Sequence, residues 1–346
     1  MPGWSGAHEW RGYIPFEQMP RIDNPATHFI ATANNKIVDD DYPYFISVDA
    51  APGYRYARIA EQLRPLHDAT ATDFARIQAD RLSIAARELV PHLLSVQPRT
   101  ELARQALAQL RSWDYRLEPT SVAATIYSAA RDALMRRLVE GLLGQEFVRE
   151  MFSGGRGASA HAVRLRTYLP QFIEQNDPRL LDQSDPARAT WRAALEQSLA
   201  DAVEQLRAAL GDDLQGWRWS KLHHTAPAHP LAALPEVGSQ FNPPRAEYGG
   251  DADTVQAAGY FPAINYYIQG TQCYRQIIDL GDLDRAQWVV PLGASGHPGS
   301  PHYADQVEPW SHNQYVPMLY NWDEINASAD ATLILNGTDP RPSRPH

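Results

Sequence analysis

The sequence predicts an α+β chain in which a mainly helical block is inserted into, or packed on, a sheet built from both ends of the polypeptide. Three observations lead there. Residues 1–56 are turn-rich and aromatic, with short apolar runs of strand type. Residues 57–215 carry apolar positions at helical spacing, and residues 216–346 return to strand-type runs between loops rich in Pro, Gly and Asn. The end zones need each other to complete a sheet, so the three zones are expected to form one domain.

Residues 29–33 and 44–48 read as buried strands flanked by the Asn34-Asn35 and Asp41-Tyr42-Pro43 turns. Thr72 or Asp73 can cap a helix through Ile77, Leu82, Ala85, Ala86 and Leu89, which Pro91 bends or ends. A second helix fits residues 100–112. A third starts near Ser121, just after Pro119, with Ala124, Ile126, Tyr127, Ala130, Leu134 and Leu138 as its core stripe. A fourth spans residues 185–210, with Leu195, Leu199, Val203 and Leu206 on one face. Residues 152–160 form a glycine-rich loop. It lacks the Gly-Lys-Ser/Thr ending and the preceding strand of a phosphate-binding loop. In the last zone, residues 217–223, 261–269, 274–280, 288–292 and 332–335 are candidate strands.

Composition narrows the function. With 44% hydrophobic and 21% charged residues over 346 positions, the chain can bury a large core. A net charge of −10 disfavours non-specific nucleic-acid binding, and no basic stripe with interleaved aromatics is present. The short basic spots at Arg64 and residues 341–344 read as solvated surface. One cysteine, Cys273, excludes an internal disulfide, as suits a cytosolic protein or a periplasmic one without disulfides. The first residues have no basic region followed by an apolar run, so no signal peptide is expected there. No stretch nears the roughly 20 apolar residues of a membrane span. Nine Trp and 16 Tyr serve core packing or wall an apolar ligand site.

Most candidate chemistries fail on spacing. Cys273 lies within a candidate strand without an obvious base and reads as a buried, inert thiol. His223 and His224 would face opposite sides of a strand, and no carboxylate stands at i+4, which disfavours a metal site. Asp39-Asp40-Asp41 reads as a solvated turn before a hard-cation site. Gly293-Ala294-Ser295-Gly296 has the wrong spacing for a nucleophile elbow. Asn34 remains. A neutral amide held at a strand end offers two N–H donors to a developing oxyanion without titrating. Alone, an Asn-Asn pair signals only a turn.

Its neighbours carry more. Trp10-x-Gly12-Tyr13-Ile14-Pro15-Phe16-Glu17-x-Met19-Pro20-Arg21, Asn24-Pro25, Phe29-Ile30-Ala31-Thr32-Ala33-Asn34-Asn35 and Asp41-Tyr42-Pro43-Tyr44 follow in one block. Further on come Trp217-Arg218-Trp219-Ser220-Lys221-Leu222-His223, Ala257-Ala258-Gly259-Tyr260, Tyr274-Arg275-Gln276-Ile277-Ile278-Asp279-Leu280 and the run from Gly293 to Gln306. In this order, over about residues 4–325, they resemble the penicillin acylase family, which includes acyl-homoserine-lactone and lipopeptide acylases.

The resemblance implies part of an N-terminal-nucleophile hydrolase αββα sandwich. It also implies hydrolysis of a linear amide through an acyl-enzyme on an N-terminal serine whose own α-amino group is the base. By motif, Asn34 matches the oxyanion asparagine. Arg55, in Tyr54-Arg55-x-x-Arg58-Ile59, matches an arginine that organises the site, or is a salt-bridged surface arginine. The family's serine lies well upstream of this asparagine. Here Ser5 is the only serine before Asn34, and its surroundings do not match the family's start. The nucleophile is therefore expected to be absent from this chain, which would be the C-terminal part of a catalytic β subunit, one incomplete domain, inactive and poorly soluble alone. The alternative is a non-catalytic remnant or an acyl-binding subunit. The implied partners are an acyl-amide small molecule, the α chain and the N-terminal part of the β chain, with neither nucleic acid nor membrane. A calcium ion belongs to some relatives, but Tyr44-Phe45-Ile46 stands where one of its aspartate ligands would lie. A periplasmic or secreted location is implied for the complete protein.

Overall fold

The computed structural model describes residues 3–152, 158–234, 236, 238–261 and 266–336. Most of the glycine-rich loop, part of the 261–269 candidate strand and the basic spot at 341–344 lie outside the described residues. The chain divides into two units, Met1–Gln272 and Cys273–His346.

The first unit is helical around one core. Its helices are α1 Tyr54–Leu63, α2 Ala71–Gln78, α3 Ile84–Leu94, α4 Glu101–Arg111, α5 Val122–Phe152, α6 Ala158–Glu174, α7 Trp191–Leu210 and α8 Trp219–Leu222. Side-chain oxygens start most of the long ones. Thr100 and Thr190 each accept a backbone N–H three residues on at 3.1 Å, as does Ser83. Thr70 and Asp73 complete a reciprocal capping box. Helix α5 lies at the centre, against α7, α6 and α4. The expected stripe from Ala124 to Leu138 is fully buried, and so are Leu195, Leu199, Val203 and Leu206 of α7. Most other side chains between Ala123 and Met135 are also buried, so this stretch is enclosed on all sides rather than along one stripe. At Gly144, φ is +82°, and the helix is kinked there.

Several expectations are corrected. The single helix expected through residues 72–89 is two, capped by Thr70 and Ser83. Between them, residues 81–83 pair with 115–117: Leu117 N donates to Arg81 O at 3.0 Å and Ser83 N to Tyr115 O at 2.9 Å. This short extended pairing satisfies the backbone in place of helical bonds. Pro91 ends nothing; α3 runs on to Leu94 with the proline on its exposed side. Helix α7 starts at Trp191, later than expected, because residues 182–188 are held in turns by Asp182 and Asp185. Residues 217–223 form no strand. Trp219, Ser220 and His223 are buried together, a helical spacing, and Trp219 N and Ser220 N donate to Ser121 O and Pro119 O.

The 29–33 and 44–48 runs also form no strands. Among the described residues of this zone the only ladder contact is a parallel bridge from Asn35 to Ala51. A strand needs a partner for its N–H and C=O groups, and none is paired with these runs. Trp10, Tyr13, Phe16, Ile30 and Phe45 are left largely exposed. The strands of this unit are β1 Ala258–Gly259 and β2 Gly270–Thr271, antiparallel.

In the second unit, β3 Arg275–Ile277, β4 Gln287–Val289 and β5 Val316–Pro317 form an antiparallel sheet in that order. Strands β3 and β4 overlap the expected 274–280 and 288–292 runs, and β5 was not among the expected strands. Helix α9 Val307–Ser311 buries Trp310, and α10 Trp322–Ala327 follows. Buried Arg275 donates to Trp310 O at 2.6 Å and to Asn313 Oδ1 at 3.0 Å. Residues 332–335 are not a strand: Leu333, Ile334 and Leu335 are exposed without a ladder. Cys273 is exposed, against the expectation of a buried thiol. It stands before β3, outside the part of the strand that carries buried side chains.

Candidate active site

Asn34 and Arg55 are brought together. Asn34 adopts the left-handed region at φ +62°, which asparagine tolerates better than most residues. Its carbonyl accepts Ala51 N at 2.7 Å, tying it to the segment that leads into α1. The adjacent Asn35 steadies the turn through Ala33 N to its Oδ1 at 3.1 Å and through its own Nδ2 to Lys36 O at 2.9 Å. Gly53 opens α1 without a side-chain cap, and Arg55 falls in its first turn. From there its Nη2 donates to Asn34 Oδ1 at 3.0 Å.

That bond settles which way the amide points. A guanidinium only donates, so it takes the amide oxygen, and the NH2 group faces away from it. No acceptor among the described residues occupies Asn34 Nδ2, and the side chain is exposed. The charge on the oxygen draws electron density from the amide and strengthens both remaining N–H donors. Asn34 also lines an open cleft of about 560 Å³ with Thr32, Tyr42, Phe45 and Asp49. That volume is in the range of small-molecule sites.

Arg55 is a cation in the first turn of a helix, where the dipole disfavours positive charge. Burial also pushes its pKa down, and the negative field of Asp253 opposes this. Asp253 belongs to a buried ionic network that the sequence did not reveal. Arg131 of α5 bonds Asp251 at 3.1 Å and Asp253 at 3.3 Å, and Arg166 of α6 pairs with Asp253 at 3.5 Å. Tyr127 and Tyr260 hydroxyls meet the same Arg131 guanidinium at 2.8 and 3.2 Å. Buried charge in this amount requires pairing of this kind. Its signals in the sequence were a charged Arg131-Asp132 pair within an apolar helix, and the Gly249-Gly250-Asp251-x-Asp253-Thr254 run. Gly250 has φ +81°, and a Cβ there would meet Gln256 O at 2.3 Å, so only glycine allows this loop to close.

Two buried titratable groups stand beside the network. Asp132 is buried beside the Tyr260 hydroxyl, and burial pushes its pKa up to about 6 against the pull of the neighbouring arginines and of that hydroxyl. His223 stacks on Trp219 at 4.5 Å, with Nδ1 2.8 Å from Tyr266 O. A carbonyl only accepts, so Nδ1 carries the proton and Nε2 is left bare and unpartnered. Burial lowers its pKa to about 3.

The remaining candidates are used locally. Ser5 lies in an exposed turn and accepts Ala7 N at 3.3 Å. Ser295 accepts His297 N at 3.1 Å. His302 pairs with Asp305 at 2.9 Å on the surface of the second unit. Asp40 is paired with Lys36, and Asp39 O accepts Tyr42 N, closing a turn. Among the described residues, no three His, Cys, Asp or Glu side chains gather as a metal set. Phe45 and Ile46 present side chains without donors where a calcium ligand would stand, so the residues present do not fit calcium.

The model of the penicillin amidase family matches residues 1–327. The chain belongs to the penicillin amidase family. It is 37% identical over 331 residues to the penicillin acylase 2 proenzyme of Pseudomonas sp. strain SE83, covering 95% of this chain and 41% of the relative. It is 28% identical over 336 residues to the acyl-homoserine lactone acylase QuiP of Pseudomonas syringae pv. tomato, covering 91% and 40%. In structure it is similar to a thermostable penicillin G acylase from Alcaligenes faecalis. The TM-score is 0.56 at 17% identity, over 97% of this chain and 62% of that one. The fold is thus that of the N-terminal-nucleophile hydrolases, mixed helix and sheet, as the motifs implied. The chain spans about two fifths of the length of the curated relatives it matches.

Proposed function

We propose that this chain supplies the oxyanion half of an amide-hydrolysing acylase site, with the nucleophilic serine contributed by polypeptide outside residues 1–346. The observation that carries the reading is the Arg55 to Asn34 bond of 3.0 Å, which takes the amide oxygen and leaves available the N–H donors of a residue that lines a cleft of ligand size. An N-terminal serine would attack the acyl carbonyl, its α-amino group taking the hydroxyl proton. The carbonyl oxygen would gain negative charge, and Asn34 Nδ2–H would donate to it as that charge develops. Collapse would expel the amine, which takes the proton held by the α-ammonium group, and water, deprotonated by the same α-amino group, would then release the acyl group as its acid. The proposed substrates are acyl amides of small amines; two of the relatives are named as acylases of penicillin and of acyl-homoserine lactones.

The proposed partners are the α chain and the N-terminal part of the β chain. Exposed Trp10, Tyr13, Phe16 and Phe45 form the kind of apolar surface that such a partner covers. The proposed location of the complete enzyme is periplasmic or secreted; no helix among the described residues is long and apolar enough to cross a membrane.

Co-expression with the preceding portion of an acylase and assay on chromogenic phenylacetyl and long-chain acyl amides tests the reading. Turnover should appear on complementation and fall about 100- to 1000-fold in Asn34→Ala. Unchanged turnover in that variant would remove Asn34 from the mechanism. Turnover by the chain alone, lost in Asn34→Ala but kept in Ser5→Ala, would refute an external nucleophile. A well-folded but inactive complex would point to an acyl-binding remnant.

A further inference from the structure

Helix α1 carries Arg55 but has little apolar anchorage: Ala60 is its one buried residue. Its position is set by polar tethers on either side of Arg55. Tyr54 donates to Glu88 Oε2 of α3 at 2.6 Å. Three residues beyond Arg55, and so on the same helical face, Arg58 grips Asp80 with a fork, Nε to Oδ1 at 3.1 Å and Nη2 to Oδ2 at 2.8 Å. The Asp80 side chain is 4% exposed and that of Arg58 13%.

Asp80 is itself immobilised. Its Oδ1 accepts Leu82 N at 3.0 Å, and Arg116 reaches its Oδ2 at 3.5 Å. Its backbone carbonyl accepts Gln256 N at 2.9 Å, and it sits beside the pairing of residues 81–83 with 115–117 that divides α2 from α3. The break in that predicted helix thus has a use: it aims a fixed carboxylate at α1. A planar fork on two carboxylate oxygens restrains both rotation and axial slip of the helix, which a single-point contact does not.

We propose that Asp80 is a positioning residue for the oxyanion half-site: through its forked bond to Arg58 it holds α1 in the register that places Arg55 on the Asn34 amide oxygen. This rests on the reading of Asn34 given above, and it adds the device that keeps Asn34 aimed. Asp80 is not among the residues that line the cleft, and its fork is to Arg58, so its effect passes through α1.

The test uses the full chain with isotope-labelled asparagine, arginine and tryptophan. A held Asn34 side chain places its two amide proton signals away from free-asparagine positions in NMR spectra, and they are assigned by their loss in Asn34→Ala. In Asp80→Asn these signals should broaden or move to free-asparagine positions, and the Arg55 Nε–H signal should change with them. The indole signals of buried Trp217 and Trp219 should stay. Arg58→Lys, which keeps the charge and loses the fork, should do the same, and Asp80→Glu should restore the signals in part. In the complemented enzyme, Asp80→Asn should lower kcat by up to about 100-fold with KM little changed, as expected for misplacement of a donor. Unaltered Asn34 and Arg55 signals with intact indoles would overturn the proposal. Should Asp80→Asn lose the indole signals too, Arg58→Lys decides on the same criterion. A catalytically silent Asn34→Ala would instead overturn the oxyanion reading, independently of the spectra.

Discussion

Replacing Asp132 with asparagine removes a buried carboxyl from the helical core. The residue is 2% exposed, on the enclosed stretch of α5. Burial outweighs the pull of Arg131, Arg166 and Arg136 and the Tyr260 hydrogen bond, and raises its pKa from 3.8 to about 6. The first two of those cations are already paired with Asp251 and Asp253. A raised carboxyl pKa means the folded state binds the proton more tightly than the unfolded chain. The stability it confers is complete below 3.8 and is lost as pH rises through about 6. At 1.36 kcal/mol for each tenfold change, ionisation withdraws about 3 kcal/mol by pH ~7.5 and about 1 kcal/mol at pH ~4.5. Asp132→Asn is neutral throughout and nearly isosteric. It should be more stable than wild type at pH ~7.5 by about 3 kcal/mol, with the advantage shrinking by about 2 kcal/mol at pH ~4.5. Urea unfolding followed by far-UV circular dichroism measures this, since α5 lies at the centre of the helical core. A variant equal to or weaker than wild type at the higher pH, or an advantage that does not vary with pH, would show that Asp132 is not held buried with a raised pKa.

Two further outcomes follow from the same core. The lowered pKa of His223, about 3, means its neutral form belongs to the folded state. That stability is present above the unfolded value near 6.5 and is lost as pH falls toward about 3, the opposite direction to Asp132. In His223→Gln, the loss of urea stability between pH ~7.5 and pH ~4.5 should be smaller than in wild type by about 3 kcal/mol; an equal loss would show that His223 is not buried neutral. Leu134, fully buried on α5, should cost about 2–5 kcal/mol when cut to alanine, read from the same urea midpoint. A change under about 1 kcal/mol would mean the α5 seam is not packed as described.

The half-site was partly legible. Asn34 and Arg55 were marked by their motifs, and the structure places them in one hydrogen bond. Arg58 was visible only as part of the same motif. Asp80, Arg131, Asp251 and Asp253 were not marked as working residues, because each depends on a partner distant in sequence. Arg131 and Asp251 stand 120 positions apart. A charge inside an apolar stripe shows that a partner must exist; it does not say which.

Three of the long helices and the family motifs were legible without the tertiary structure; α1 and α6 were not. Apolar spacing at 3.6 residues and cap residues such as Thr100 and Thr190 act over one or two turns, so α4, α5 and α7 could be read locally. Strands are different, because a strand exists only when another segment takes its hydrogen bonds. Residues 29–33, 44–48 and 332–335 have strand-like composition but no paired neighbour among the described residues, and remain irregular. Residues 217–223 have it too, yet burial of Trp219, Ser220 and His223 on one side wound them into a turn of helix. Tertiary pairing likewise broke the predicted 72–89 helix at Asp80 and, in doing so, set the carboxylate that holds Arg58. Local periodicity selected the elements, and long-range pairing of backbone and charge decided which of them formed and what they hold in place.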